Sequence, residues 1–258
     1  MPVHIGTSGW VYQDWRGLFY PKGLRQKDEL AYYAERFATV EINSTFYRLP
    51  KAETMETWAD SVPDDFVFAP KVSQFLSHRK RLKEPQEPVE RFMDRVGHLR
   101  SKLGPALLQL PGNFKRNDER LREALTEFGG RARVAVEFRD ESWYTDEVFD
   151  LLRKHDAALC LADREEEWVT PVEATADWAY MRFHWGQDEI PSGYREHTLR
   201  RRAEELAGLL KQGADVFVYF NNDPGACAIR DAITFAGFIR EAGLEPTRVP
   251  GRDEVEGV

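Results

Sequence analysis

Thr39-Val40-Glu41-Ile42-Asn43 and Val134-Ala135-Val136-Glu137-Phe138-Arg139 are the two stretches on which the fold turns. Both are β-branched and apolar at alternate positions. Each carries a glutamate and, two residues later, a second polar side chain, Asn43 or Arg139. Side chains on a strand return to the same face every second residue. Val40 and Ile42 therefore oppose Glu41 and Asn43, and Val134, Val136 and Phe138 oppose Glu137 and Arg139. A carboxylate inside a sheet is costly unless it is paired or hydrogen-bonded. The two stretches predict strands with one face against helices and the other turned to a shared polar interior.

Outward from these, eight strand-like segments can be read: His4–Thr7, Thr39–Asn43, Phe66–Lys71, Ala106–Leu110, Arg133–Phe138, Ala157–Ala162, Trp178–His184 and Asp215–Asn221. Helical stripes separate most of them. Leu30, Ala34 and Phe37 form one, and Leu121, Leu125 and Phe128 another, which Gly129-Gly130 ends. Val148, Leu151 and Leu152 fit a short helix after Asp146. Leu199, Ala203, Leu206 and Leu210 form a stripe closed by Gly213, and a last helix runs near Ala226 to Glu241. Alternating strand and helix is the pattern of a parallel sheet with crossover helices. Eight repeats in 258 residues predict an α/β protein, a single (β/α)8 TIM-like barrel with parallel strands, over residues 1–250. Residues 251–258 read as a flexible acidic tail. A doubly wound open sheet is the alternative, but the first turn, Gly6-Thr7-Ser8-Gly9-Trp10, lacks the G-x-G-x-x-G spacing of a dinucleotide site.

The polar face recurs along the chain. Lys71 shares a face with Val67 and Ala69, Gln109 with Leu107, Arg182 and His184 with Tyr180, and Asn221 with Phe217 and Tyr219, while the sixth strand ends at Asp163. These residues gather toward the C-terminal strand ends, where barrel enzymes build their sites. The candidate catalytic residues are Glu41, Glu137, Lys71 and His184. The candidate substrate-binding residues are Asn43, His78, Gln109, Arg139, Arg182 and Asn221, with Asp163 a further possibility. The competing reading is an internal ion network that only stabilises the barrel. The basic run His78-Arg79-Lys80-Arg81-Leu82-Lys83 follows the third strand, on the same face as the cluster. With Lys71, Arg139 and Arg182 it makes a cationic mouth suited to phosphate, carboxylate or sulfate; for Lys80 and Lys83 a solvated loop is the simpler reading.

A hydrophobic fraction of 42% excludes wholesale disorder, and a net charge of −8 argues against broad nucleic-acid binding. No apolar run reaches the roughly 18 residues of a membrane span, and no signal peptide is evident at the N-terminus. Cys160 and Cys227 belong to no metal or redox motif, which fits a cytoplasmic location.

Several of these segments resemble signatures of the YecE-like proteins, domain of unknown function 72: Gly6-Thr7-Ser8-Gly9-Trp10 with Tyr12, Glu41-Ile42-Asn43-Ser44-Thr45-Phe46-Tyr47, Gln109-Leu110-Pro111, Glu137-Phe138-Arg139 with Trp143, Arg182-Phe183-His184, and Phe220-Asn221-Asn222-Asp223. Lys71 and the Ser77-His78 pair match as well, although the family more often has Thr before that histidine. The resemblance covers nearly the whole chain and implies a TIM-like barrel, with no established reaction. One departure lies beyond the seventh strand, where Trp185 intervenes between His184 and Gly186.

The chemistry these residues suggest is that of a metal-independent acid/base enzyme, a hydrolase or lyase acting on a small anionic, sugar- or phosphate-containing substrate. Glu41 or Glu137 would be base or nucleophile, and His184 or His78 the acid. No cofactor is predicted. A divalent metal held by Glu41, Glu137, Asp163 and His184 is an alternative, set back by the neighbouring cations. A Schiff-base lysine at Lys71 is another, set back by the expectation that Glu41 and Glu137 raise its pKa. A non-catalytic protein binding phosphate or nucleic acid is the fourth.

Overall fold

The computed structural model describes residues 2–186, 193–209 and 214–255. Ten strands are present among them: β1 (Pro2–Thr7), β2 (Thr39–Ile42), β3 (Val67–Pro70), β4 (Ala106–Gln109), β5 (Val134–Glu137), β6 (Ala158–Arg164), β7 (Glu167–Trp168), β8 (Ala179–Phe183), β9 (Val216–Phe220) and β10 (Glu245–Pro246). The helices are α1 (Glu29–Arg36), α2 (Ser44–Tyr47), α3 (Ala52–Asp60), α4 (Gln86–Val96), α5 (Asp118–Phe128), α6 (Asp146–Lys154), α7 (Glu196–Leu209) and α8 (Cys227–Glu241). The order β10-β1-β9-β8-β6-β5-β4 forms one sheet, and β2-β3 a second. Parallel bridges join them, Ser8 to Glu41 on one side and Lys71 to Leu107 on the other. The result is the expected barrel of β1, β2, β3, β4, β5, β6, β8 and β9. The short β7 pairs antiparallel with β6, and β10 runs parallel beside the lower end of β1.

Alternation sets the two layers. Val40, Ile42, Phe68, Leu108, Val136, Leu159, Leu161, Met181 and Val218 point outward and pack under the helices. Ala69, Leu107, Ala135, Cys160, Tyr180, Phe217 and Tyr219 fill the lumen. Local chemistry fixes the helix ends: Asn117 caps α5 by accepting from the Arg120 amide at 3.0 Å, and Gly129, at φ 55°, closes it in the left-handed conformation that glycine adopts without penalty. Leu210 and Gly213, read as the end of α7, lie outside the described residues.

The seam between β1 and β2 has its own construction. Gly6 passes so close to β2 that a Cβ would stand 2.2 Å from the Thr39 carbonyl oxygen. The Tyr33 hydroxyl, from α1, sits in this seam: it accepts from the Thr7 amide at 3.0 Å and donates to the Thr39 carbonyl at 3.1 Å. Below it, the Ala38 amide donates to the Arg248 carbonyl at 3.0 Å, just beyond β10. Of the predicted tail, Val255 is buried and Arg252 donates to Thr234 at 3.0 Å; residues 256–258 lie outside the described residues. No helix among the described residues is long and apolar enough to cross a membrane.

Candidate functional site

At the C-terminal ends of the strands, one buried guanidinium joins two buried carboxylates. Arg182, from β8, is 1% exposed. Its Nη2 donates to Glu41 Oε1 at 2.8 Å and its Nη1 to Glu137 Oε2 at 2.6 Å. Glu41 also accepts from Ser8 Oγ at 2.8 Å and from the Tyr180 hydroxyl at 2.7 Å. Glu137 accepts from Gln109 Nε2 at 2.7 Å and from Arg139 Nε at 3.1 Å, and His184 Nε2 lies 3.4 Å away. A rigid planar fork suits such bridging, because each terminal nitrogen can serve a different carboxylate. Burial alone would push the Glu137 carboxyl up, but Arg182, His184 and Arg139 outweigh it and hold the group well below the usual carboxylate range. Both glutamates are thus enclosed and hydrogen-bonded, and Glu41 is fully buried.

Unused capacity lies in the groups around this frame. The Lys71 ammonium has no hydrogen-bond or ion-pair partner among the described residues and sits 4.5 Å from the centre of the Phe46 ring. Burial and then Arg182 lower its pKa to about 8, against the opposing pull of Glu41 and Glu137. The glutamates do pull it upward, as expected, but desolvation and Arg182 outweigh them, so the net shift is downward. His184 is also lowered, by burial first and then by Arg182 and Arg139 against Glu137; it is a neutral imidazole at pH 7, a proton acceptor in the resting site. Burial, Lys71 and Arg139 lower His78 in the same way. Its Nδ1 is 2.9 Å from Ser77 Oγ, and its ring meets the Phe46 edge at 4.9 Å.

Arg139 leaves 44% of its side chain exposed, on the wall of a mouth cavity of about 670 Å³ that Glu137, His184, Lys115, Tyr144 and Arg164 also line. Asn221 Nδ2 approaches His184 Nδ1 at 3.5 Å. Gln109 is buried and engaged with Glu137, and Asn43 Nδ2 donates to the Ser8 carbonyl at 3.1 Å, so both of these amides brace the frame. In the basic run, Lys80 pairs with Glu84 at 2.9 Å, while Arg79, Arg81 and Lys83 are exposed. The run begins in a π-helical turn, Phe75–Arg79, a form that occurs often at functional sites.

Asp163 is not in this cluster. It shares the outward face with Leu159 and Leu161, accepting from Arg202 Nε at 2.8 Å and from the Tyr194 hydroxyl at 2.9 Å. Among the described residues no group of three His, Cys, Asp or Glu side chains is arranged to hold a metal ion. Tyr180, Ser8 and Asp223 belong to the site without having been among its candidates. Alternation from Arg182 points to Tyr180 and alternation from Gly6 points to Ser8, whereas Asp223 lies beyond the end of β9, where strand parity no longer applies.

The family described as Protein of unknown function DUF72 matches residues 4–253. The chain is 27% identical to UPF0759 protein YunF of Bacillus subtilis (strain 168), over 88% of this chain and 90% of that protein. It is 34% identical to UPF0759 protein YecE of Escherichia coli (strain K12), over 43% of this chain and 39% of that one. The crystal structure of a DUF72 family protein from Thermotoga maritima MSB8 superposes with a TM-score of 0.78 at 28% identity, covering 93% of this chain and 100% of the other. With the barrel and its inward polar ring in place, the match across nearly its full length makes the chain a member of the DUF72 family.

Proposed function

We propose that the chain is a metal-independent acid/base enzyme, a hydrolase or lyase, acting on a small anionic, sugar- or phosphate-containing substrate at the barrel mouth. One observation carries this: Lys71 is largely buried, and its ammonium has no carboxylate partner among the described residues, near the partly exposed fork of Arg139. A buried, unpaired cation is costly, and a substrate anion would satisfy it. His184, held by Glu137, suits the role of base. Lys71, at about 8, suits proton donation near neutral pH. Glu41 and Glu137, saturated with hydrogen bonds, then set the field and orientation of Arg182 and His184. No step calls for a metal, and Arg182 takes up the carboxylate oxygens that a cation would need. Cys160 and Cys227, both buried and outside any metal or redox motif, suit a cytoplasmic setting.

The test is a turnover screen of phosphorylated and carboxylated sugars with chelator-treated protein. Activity should survive chelation and fall at least about a hundredfold in Lys71→Met and His184→Ala, in line with general acid–base contributions. Activity that is lost on chelation and returns with a divalent ion, or that ignores Lys71→Met, sinks the proposal. The lowered pKa of Lys71 also supports a second reading, a Schiff base with a carbonyl substrate. Borohydride trapping followed by mass spectrometry would show a covalent adduct at Lys71 in that case.

A further inference from the structure

A third carboxyl group, with no role in the acid/base chemistry above, adjoins this frame on the β9–β1 side. Asp223 follows β9 by three residues. Its backbone is held from two directions: its carbonyl accepts from Trp15 Nε1 at 3.0 Å and from the Ala226 amide at 3.1 Å. The Gly225 amide donates to Asp14 at 2.7 Å, so the loop after β1 and the loop after β9 are fastened together.

The side chain has no such support. Asp223 Oδ1 is buried and receives no hydrogen bond, and Asp223 has no ion-pair partner among the described residues. The carboxyl lies against the Tyr12 hydroxyl, but that hydroxyl has one proton and donates it to the Ser8 carbonyl at 2.5 Å. The same carbonyl also accepts from Asn43 Nδ2 at 3.1 Å. Gly9, at φ 105°, makes this turn possible, since a Cβ there would stand 2.9 Å from the Tyr12 oxygen.

The charged and titratable groups facing Asp223 are Glu41 and Asp14, which oppose its ionisation, the Tyr12 hydroxyl and Arg182, which favour it, and the Tyr33 phenol. A carboxylate in this position would leave the buried Oδ1 without a donor and face two acidic groups. The neutral acid can donate its own proton to the Tyr12 oxygen, which leaves the hydrogen bonding consistent.

We propose that Asp223 keeps its carboxyl proton into the neutral range, beside Glu41, as a proton-exchanging group for the barrel mouth. It is joined to the catalytic frame through Tyr12 and the Ser8 backbone, with Ser8 Oγ on Glu41. Burial, the largest influence, pushes its pKa up to about 7, so the proton is both present and releasable in the neutral range. The proposal rests on the anion-site reading only for what receives that proton.

A carboxyl-carbon NMR titration of the full chain tests the protonation with no ligand present. One carboxyl resonance should titrate near pH 7 and be missing in Asp223→Asn. An Asp223 resonance moving wholly within the ordinary aspartate range, near 3.8, overturns the proposal. Calorimetric titration with inorganic sulfate, in buffers of different ionisation enthalpy, tests the coupling. Sulfate binding to the wild type at pH 7.5 should draw in protons, and Asp223→Asn should lose part of that uptake. Uptake surviving the substitution in full counts against Asp223. A wild-type chain that ignores sulfate counts against the anion-site reading alone, because the NMR titration still decides the state of Asp223.

Discussion

At the scale of the residue, Lys71 is the clearest case of a charge held at the expense of stability. Its folded pKa, about 8, is below the ordinary 10.5. Between these two values the unfolded chain binds the extra proton, so stability rises with pH across this window. Below about pH 8 the folded chain carries the full cost of a buried ammonium. Lys71→Met should therefore stabilise the protein at pH 7, by roughly 3 kcal/mol from the size of the shift. The gain should shrink between about pH 8 and 10.5. Urea denaturation of both proteins at pH 7 and pH 10 checks this, and a gain that does not change with pH would show that added apolar packing is the cause. Glu137 has the opposite sign: its lowered carboxyl contributes stability that is present above the unfolded pKa and is lost as pH falls through the depressed folded value.

At the scale of the element, the β1–β2 seam depends on a side chain doing a backbone's work. Tyr33→Phe removes the hydroxyl that serves the Thr7 amide and the Thr39 carbonyl and leaves buried backbone groups unsatisfied. It should cost about 1–3 kcal/mol, read as a lowered denaturation midpoint with an unchanged slope. Nothing in the sequence marks Tyr33 for this, because its apolar stripe with Leu30 and Phe37 reads as plain packing. The strands themselves are legible, since period-2 patterning carries both their existence and their facing. The same parity, applied from Cys160 and Ala162, turns Asp163 outward to Arg202. The helices after β3 and the added strands β7 and β10 are harder to read. β7 and β10 have two residues each, too few to show a period. α4 carries Pro88 in its first turn, where the missing amide is harmless, and its stripe of Val89, Phe92, Met93 and Val96 begins only after that proline. In the site, Glu41, Glu137, Lys71 and Arg182 are legible as an inward group. Which of them stay available is not, because that depends on distances between strands.

At the scale of the whole molecule, the Arg182 bridge ties together segments far apart in the chain. Arg182 and Glu41 are separated by 141 positions and Arg182 and Glu137 by 45. Arg182→Met leaves two enclosed carboxylates without their shared counterion, and breaking a buried pair in this way costs about 3–5 kcal/mol, measurable by equilibrium unfolding. The bridge also has a place in time. Contacts of such long sequence separation form only after costly loop closure, so it belongs to the late, closed barrel rather than to the transition state. Its loss should then appear chiefly as faster unfolding, with refolding little changed, in the two arms of a chevron plot. The three side chains joined beneath the mouth would thus also act as its latch, setting how long a closed barrel stays closed.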